Sequence, residues 1–251
     1  MADSLEAFLH ERGTPERTLA VVDPEQPKPI HDLFVNAFGS LNVGLSADDV
    51  GVDADDSVVL LEEGDVVATS SIESLRETVL LVNSDLYTTG LSGIDERKAP
   101  SVLTELDGAV YTLRGFPAST KEKLLLIVMS RYIERRALEA GEGRLDVAFQ
   151  QLSRMRGEYG TKRTYERLLR TDLDVHVYGV PDTDLGDIDA TVHTGRSRRY
   201  RRSWFVVFAP PDGGNPAALV AVETDRNTWR ATWTYDRGRV GAIQDHILER
   251  F

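Results

Sequence analysis

A chain of 251 residues with no cysteine and a formal net charge of −12 excludes disulfides, thiolate metal sites and a thiol nucleophile. Its acidity argues against broad electrostatic binding to nucleic acid, which needs clustered cations facing phosphate. No apolar run approaches the ~18 residues of a membrane helix, and the acidic opening "MADSLEAFLHERG" lacks the basic region of a secretory signal, so the sequence reads as cytoplasmic. Lysine occurs only at Lys28, Lys98, Lys121, Lys123 and Lys162, and the other cations are arginine. Acid-rich, lysine-poor and cysteine-free composition is that of cytosolic proteins from salt-accumulating microbes, whose carboxylate surface stays soluble where molar salt screens charge within ~3 Å.

In chain order, residues 3–11 read as a short amphipathic helix with Leu5, Phe8 and Leu9 on one side, and "TLAVV" (18–22) as a buried strand. The three prolines of "DPEQPKP" mark a loop. "IHDLFVNAF" (30–38) has helical spacing, and "SADDVGVDADD" is an acidic loop. "SVVLLEEGDVVATS" (57–70) predicts a hairpin that turns at "EEGD", where glycine supplies positive φ. A serine-capped helix starts in "SSIESLRETVLLVN" (70–83). "VLTELDG" is a helical turn closed by Gly108, and "AVYTLRG" (109–115) alternates as a strand. Ser119 or Thr120 caps the next helix, "KEKLLLIVMSRYIERRALEAG" (121–141), which "EAGEGR" ends. The remainder reads as strand (145–152), helix (161–170), strand (174–180) and a long polar connection through "RSRRYRR" (196–202). A hairpin over 203–225 turning at Asp212–Asn215, a strand (228–236) and a closing helix (240–251) complete it.

Residues 18–81 and 145–251 share an order of strand, helix, hairpin and helix without detectable identity. The fold class is therefore mixed α/β (α+β): a mixed sheet with antiparallel hairpins and flanking helices. If the halves are a duplication, they form two similar lobes joined by the 119–141 helix. The expected domains are 1–118, an N-terminal α/β region, and 119–251.

The helix at 121–141 holds the candidate chemistry. Leu124 to Met129 is apolar all round and should be buried. Arg131 and Arg135 share a face, Arg136 lies beside them, and Glu134 and Glu139 stand at pairing distance. These arginines either suit the negative end of the helix dipole or form a cationic wall for an anionic ligand, since Arg offers bidentate geometry to carboxylate or phosphate. On the strand at 228–236, Trp229, Ala231, Trp233 and Tyr235 share one face, which is either core or an aromatic pocket wall. "RSRRYRR" could touch nucleic acid, or be a solvated loop docked on the protein's own acids. The five histidines never occur at metal-ligand spacing, and no Gly-x-Ser-x-Gly, P-loop or Gly-x-Gly-x-x-Gly is present.

"STKEKLLLIVMSRYIERRALEAG", "AFQQLSRM", "TYERLLRTDLDVHVYGVPD", "SWFVVFAPP" and "WTYD" together resemble the DICT sensory domain family, named for diguanylate cyclases and two-component systems. The likeness is best over 119–251, and the upstream part is similar to the N-terminal region of haloarchaeal members. The resemblance implies a sensory input module of α/β type, with no catalytic residues, metal or cofactor. The output domains such modules are joined to imply a link to light response. This chain has no output domain, so a stand-alone copy should signal by binding a small ligand or a signalling protein partner, with a homodimer left open. The expected ligand contacts are Arg131, Arg135, Gln150 and Arg154, in a groove between the arginine end of the helix, "FQQLSRMR" and the late aromatic strands. Two other classes stay open: an enzyme on nucleotides or phosphoesters using carboxylates such as Asp174 and Asp182, and a DNA-associated regulator using "RSRRYRR".

Overall fold

The computed structural model of the chain describes residues 4–9, 17–22, 57–75, 77, 99–114, 121–157, 159–211, 213–226 and 228–251. The expected helix at 30–38, the loops at 23–29 and 46–56 and the caps Ser119 and Thr120 lie outside them. The strands are β1 (Arg17–Val22), β2 (Ser57–Glu62), β3 (Asp65–Ser71), β4 (Val110–Arg114), β5 (Glu142–Gln151), β6 (Asp172–Val180), β7 (Thr191–Thr194), β8 (Ser203–Ala209), β9 (Ala217–Asp225) and β10 (Thr228–Thr234). The helices are α1 (Ser101–Thr104), α2 (Lys121–Ala140), α3 (Ser153–Gly157), α4 (Tyr159–Leu168), α5 (Arg198–Arg202) and α6 (Arg237–Arg250), and a 3-10 turn spans Leu5–Leu9.

The strands form a three-stranded antiparallel sheet, β1-β2-β3, and a seven-stranded mixed sheet in the order β4-β10-β9-β8-β5-β6-β7. In the larger sheet β5, β6 and β7 run parallel and the other neighbours antiparallel. The fold is mixed α/β, with the expected antiparallel hairpins and flanking helices. The first hairpin turns through Glu63 and Gly64, at φ 53° and 92°, with Glu62 paired to Asp65. Two successive positive φ angles are the mirror-image turn whose twist matches that of the strands. Ser71 Oγ accepts from the Ser74 amide at the start of the next helical turn, 3.1 Å away, as the cap reading expects.

The helix α2 lies on one face of the large sheet. Leu126, Met129, Ile133 and Ala137 pack on Leu145, Val147, Val206, Phe208, Leu219, Trp229 and Trp233. On the other face, Val240, Ile243 and Ile247 of α6, with Leu5 and Leu9 of the 3-10 turn, cover Ala148, Phe205, Val207 and Val220. Burial on both faces is why β8 and β9 read as continuous apolar runs rather than alternating ones. The small sheet joins the α2-side core through Val58, Leu60 and Ala68. It is tied to α1 where Val102 N donates to Ser70 Oγ (3.1 Å) and Ser101 Oγ donates to the Thr69 carbonyl (2.7 Å).

Several readings change. The break at "EAGEGR" is shorter than expected: Gly141, at φ 71°, ends α2, and β5 begins at Glu142. At Gly143 a Cβ would meet the Ala209 carbonyl oxygen at 2.7 Å, so glycine there lets β5 and β8 close. The long polar connection holds β7 and α5, and "SRMRG" forms α3. "RSRRYRR" is therefore not a loop. Tyr200 is buried inside α5 and donates to the Phe251 carbonyl, while Arg199 donates to the Arg250 carbonyl. Nor do the described strands form two like lobes. The large sheet takes β4 from upstream of α2, and α2 lies on that sheet rather than bridging two bodies. No helix among the described residues is long and apolar enough to cross a membrane.

Candidate functional site

Successive helical residues turn by 100°, and this divides the arginines of α2 between two flanks. On the α4 flank, Arg131 and Glu134 are 9% and 3% exposed and form an ion pair, with Nη1 donating to Oε2 at 2.6 Å. Arg131 Nη2 donates to Thr161 Oγ1 at 2.8 Å, and the Tyr165 hydroxyl donates to Glu134 Oε1 at 2.7 Å. Charge this deep in a protein persists only when paired and hydrogen-bonded. Burial, then the adjacent Glu134 carboxylate, pushes the Tyr165 hydroxyl well above its ordinary pKa and keeps it a donor. Arg135, one position outward, is partly exposed and donates from Nε to Glu139 Oε1 at 2.7 Å.

The carboxyl end of β5 meets this group from the side. Its register with β6 shifts between Ala148 and Gln150, a bulge that leaves Phe149 out of the ladder. The Phe149 ring stands edge-on to Tyr165 with centroids 5.1 Å apart. Gln150 is buried at φ 64°, a left-handed backbone that costs a side-chain-bearing residue about 1–3 kcal/mol and gathers at functional sites. Just beyond, the Ser153 amide and hydroxyl donate to the two oxygens of Asp182, at 2.9 and 2.6 Å. These bonds, the hydroxyl's foremost, hold the Asp182 carboxyl below its ordinary pKa. Arg154 follows on α3, partly exposed. Of the four expected contacts, Arg131 and Gln150 are buried, and Arg135 and Arg154 are partly exposed.

Of the late aromatic strands, β8 adjoins β5 and carries Trp204, whose indole Nε1 donates to Ser130 Oγ of α2 at 3.2 Å. Three strand spacings of about 4.8 Å separate β5 from β10, which carries Trp233 and ends just before Tyr235. Those two face the other flank of α2, where Arg136 lies with its guanidinium carbon 5.7 Å from the Tyr132 ring centre and 5.2 Å from that of Tyr235. Arg136 is therefore not beside Arg131 and Arg135 as expected.

Beneath α6, on the opposite face of the sheet, lies a polar network that sequence reasoning missed. Asp146 is wholly buried. It accepts from Arg144 Nε and Nη2 at 2.9 and 2.8 Å, from the Tyr178 hydroxyl at 2.8 Å and from Gln244 Nε2 at 3.3 Å. Burial, then Asp146, raises the Tyr178 hydroxyl pKa. The His193 ring is stacked on Tyr178, 4.3 Å away and 7° from parallel, and its Nε2 is 2.9 Å from His176 Nδ1. His176 Nε2 in turn lies 2.9 Å from Asp174 Oδ2. Burial first, then the neighbouring His176, lowers the His193 pKa. Asp174 and Asp182, paired above as candidate acids, thus have different partners: His176 for one, Ser153 for the other.

Residues 100–224 match the family described as DICT, sensory domain in diguanylate cyclases and two-component system. The chain carries a DICT domain. The matched stretch takes in α1, β4, α2 to α5 and β5 to β8, and it ends within β9. The strand β10 and the helix α6, which complete the seven-stranded sheet and cover its second face, follow it. Among solved structures, polyphosphate kinase from Porphyromonas gingivalis is similar at 13% identity, over 64% of this chain and 29% of that one, with a TM-score of 0.33. A likeness at that score bears on neither fold nor activity. No curated protein matches the chain.

Proposed function

We propose that the protein is a non-enzymatic sensory module that binds a small ligand or a signalling partner and relays the event by changing its contacts. The observation that carries this reading is the DICT match across most of the large sheet and α2. The α4 flank supports it as the place of contact. Arg135 and Arg154 supply cations at the solvent side, and Gln150 is held in an unfavourable backbone conformation at a strand end. Arg131, committed to Glu134 and Thr161, positions α2 against α4 beneath them. A ligand shifts such a module only by the difference in its affinity for two states.

The test is a thermal-shift screen of small carboxylates and phosphates against the full chain, beside Arg135→Ala and Arg154→Ala. A ligand at a hundred times its Kd stabilises by about 2.7 kcal/mol, which for a chain of this size is roughly 5–11 °C in Tm. The variants should lose most of that shift. Equal shifts in wild type and both variants would remove the contact assignment, and turnover of a nucleotide by purified protein would remove the non-enzymatic reading.

A further inference from the structure

The flank of α2 that faces β4 and β10 holds a second group of side chains, separate from the contacts proposed above. The alternation of β10 places Trp233 toward α2, and Tyr235 follows just past the strand's end at Thr234. Tyr111 of β4 pairs with Ala231 and stands beside them, its ring 4.8 Å from that of Trp233 at 64°. From α2, Tyr132 and Arg136 lie one turn apart, and Tyr132 meets Tyr235 edge-on at 6.1 Å. Tyr132, Arg136 and Tyr235 are partly exposed, whereas Trp233 and Tyr111 are wholly buried. The result is an aromatic corner with a guanidinium over its outer rings, held by one bond from Arg136 Nη2 to the Asn215 carbonyl at 3.2 Å.

Two polar atoms of this corner are unusual. The indole Nε1 of Trp233 and the hydroxyl of Tyr235 are buried and have no hydrogen-bond partner among the described residues. Buried polar atoms are almost always satisfied. An indole N–H can only donate, and burial raises the Tyr235 hydroxyl pKa, so that it too remains a donor. The nearby carboxylates do not fill the need: Asp107 Oδ1 accepts from the Tyr235 amide at 3.0 Å, and Glu105 is exposed. Of these donors, Tyr235 is on a partly exposed residue, and with the Arg136 guanidinium among flat rings it suits a flat molecule with anionic acceptor oxygens.

We propose that Tyr132, Arg136 and Tyr235 bind a small planar carboxylate, an aromatic acid, with its oxygens toward the Arg136 guanidinium and the Tyr235 hydroxyl and its ring against the tyrosines. Benzoate is the probe, titrated calorimetrically into the full chain, with benzamide as its neutral counterpart. Saturable benzoate binding is expected, roughly tenfold weaker in Tyr235→Phe and in Arg136→Met, the size of one hydrogen bond to a charged group. Benzamide should bind at least about tenfold more weakly than benzoate. Without benzoate, Tyr235→Phe should melt no lower than wild type, because it deletes an unpartnered polar atom. Arg154→Ala should bind benzoate as wild type does, so failure of the contacts on the α4 flank leaves this site standing, and the reverse. Absence of saturation, wild-type affinity in Tyr235→Phe, equal affinity for benzamide, or a lowered melting temperature in benzoate-free Tyr235→Phe would each overturn the assignment.

Discussion

Replacing Glu134 by alanine should be among the most damaging single changes in the DICT domain. The variant takes the Glu134 carboxylate from the buried Arg131 guanidinium, which is 9% exposed, and the acceptor from the buried Tyr165 hydroxyl. Breaking a buried pair by removing one partner costs about 3–5 kcal/mol, because the survivor is an uncompensated charge. At roughly 2–4 °C per kcal/mol for a protein of this size, the melting temperature should fall by about 6–20 °C. The cost comes from removing one member of a buried pair, so removing both charges together with the Tyr165 hydroxyl should cost far less. The triple variant Arg131→Met, Glu134→Leu, Tyr165→Phe is expected within about 1 kcal/mol of wild type, or above it. Urea denaturation followed by circular dichroism measures both. If Glu134→Ala loses less than about 1 kcal/mol, or the triple variant is as unstable as the single one, the account of Arg131 as a buried, paired charge is wrong.

Two further outcomes follow from groups described above. The His193 pKa is lowered in the folded state, so the unfolded chain takes up its proton first as the pH falls. The contribution of His193 is fully present above the unfolded value of about 6.5 and is lost as the pH drops from there through the folded value. Stability measured from pH 7.5 to 5 should show that slope, and His193→Gln should flatten it. At the first hairpin, Glu63 occupies φ 53°, a region asparagine tolerates better than glutamate. Glu63→Asn should stabilise by about 0.5–1 kcal/mol, read as a higher urea midpoint at unchanged slope, and a lower midpoint would contradict the turn geometry.

What the sequence made legible had a local cause. The hairpin at "EEGD" shows in two apolar runs and one glycine, and the face of β10 that carries Trp229 and Trp233 shows in a period of two. The division of α2 into flanks was misread, with Arg136 set beside Arg131 and Arg135, although the 100° step from Arg135 to Arg136 already turns them apart. β7 was hidden because an edge strand with exposed Thr191, Val192 and Thr194 carries no burial pattern. α5 was hidden because five residues with one buried tyrosine are too short for periodicity. The distant partners of the Arg131–Glu134 pair and of Asp146 could not be read: Thr161 lies 30 residues from Arg131 and Tyr165 31 from Glu134, and Tyr178 and Gln244 lie 32 and 98 from Asp146. The one local hint was Asp146 itself, a charge inside the apolar run "LDVAF".

The pairing of β4 with β10 sets a timetable for the nascent chain. Arg114 stands opposite Thr228 in the register, so a strand that leaves the ribosome early waits for on the order of a hundred further residues, roughly ten seconds of synthesis, before its neighbour exists. Until then β4 lacks the strand that joins it to the large sheet, a window in which a chaperone or another copy of the chain can seize it. Ending translation at residue 224, the border of the family match, would make that interval permanent.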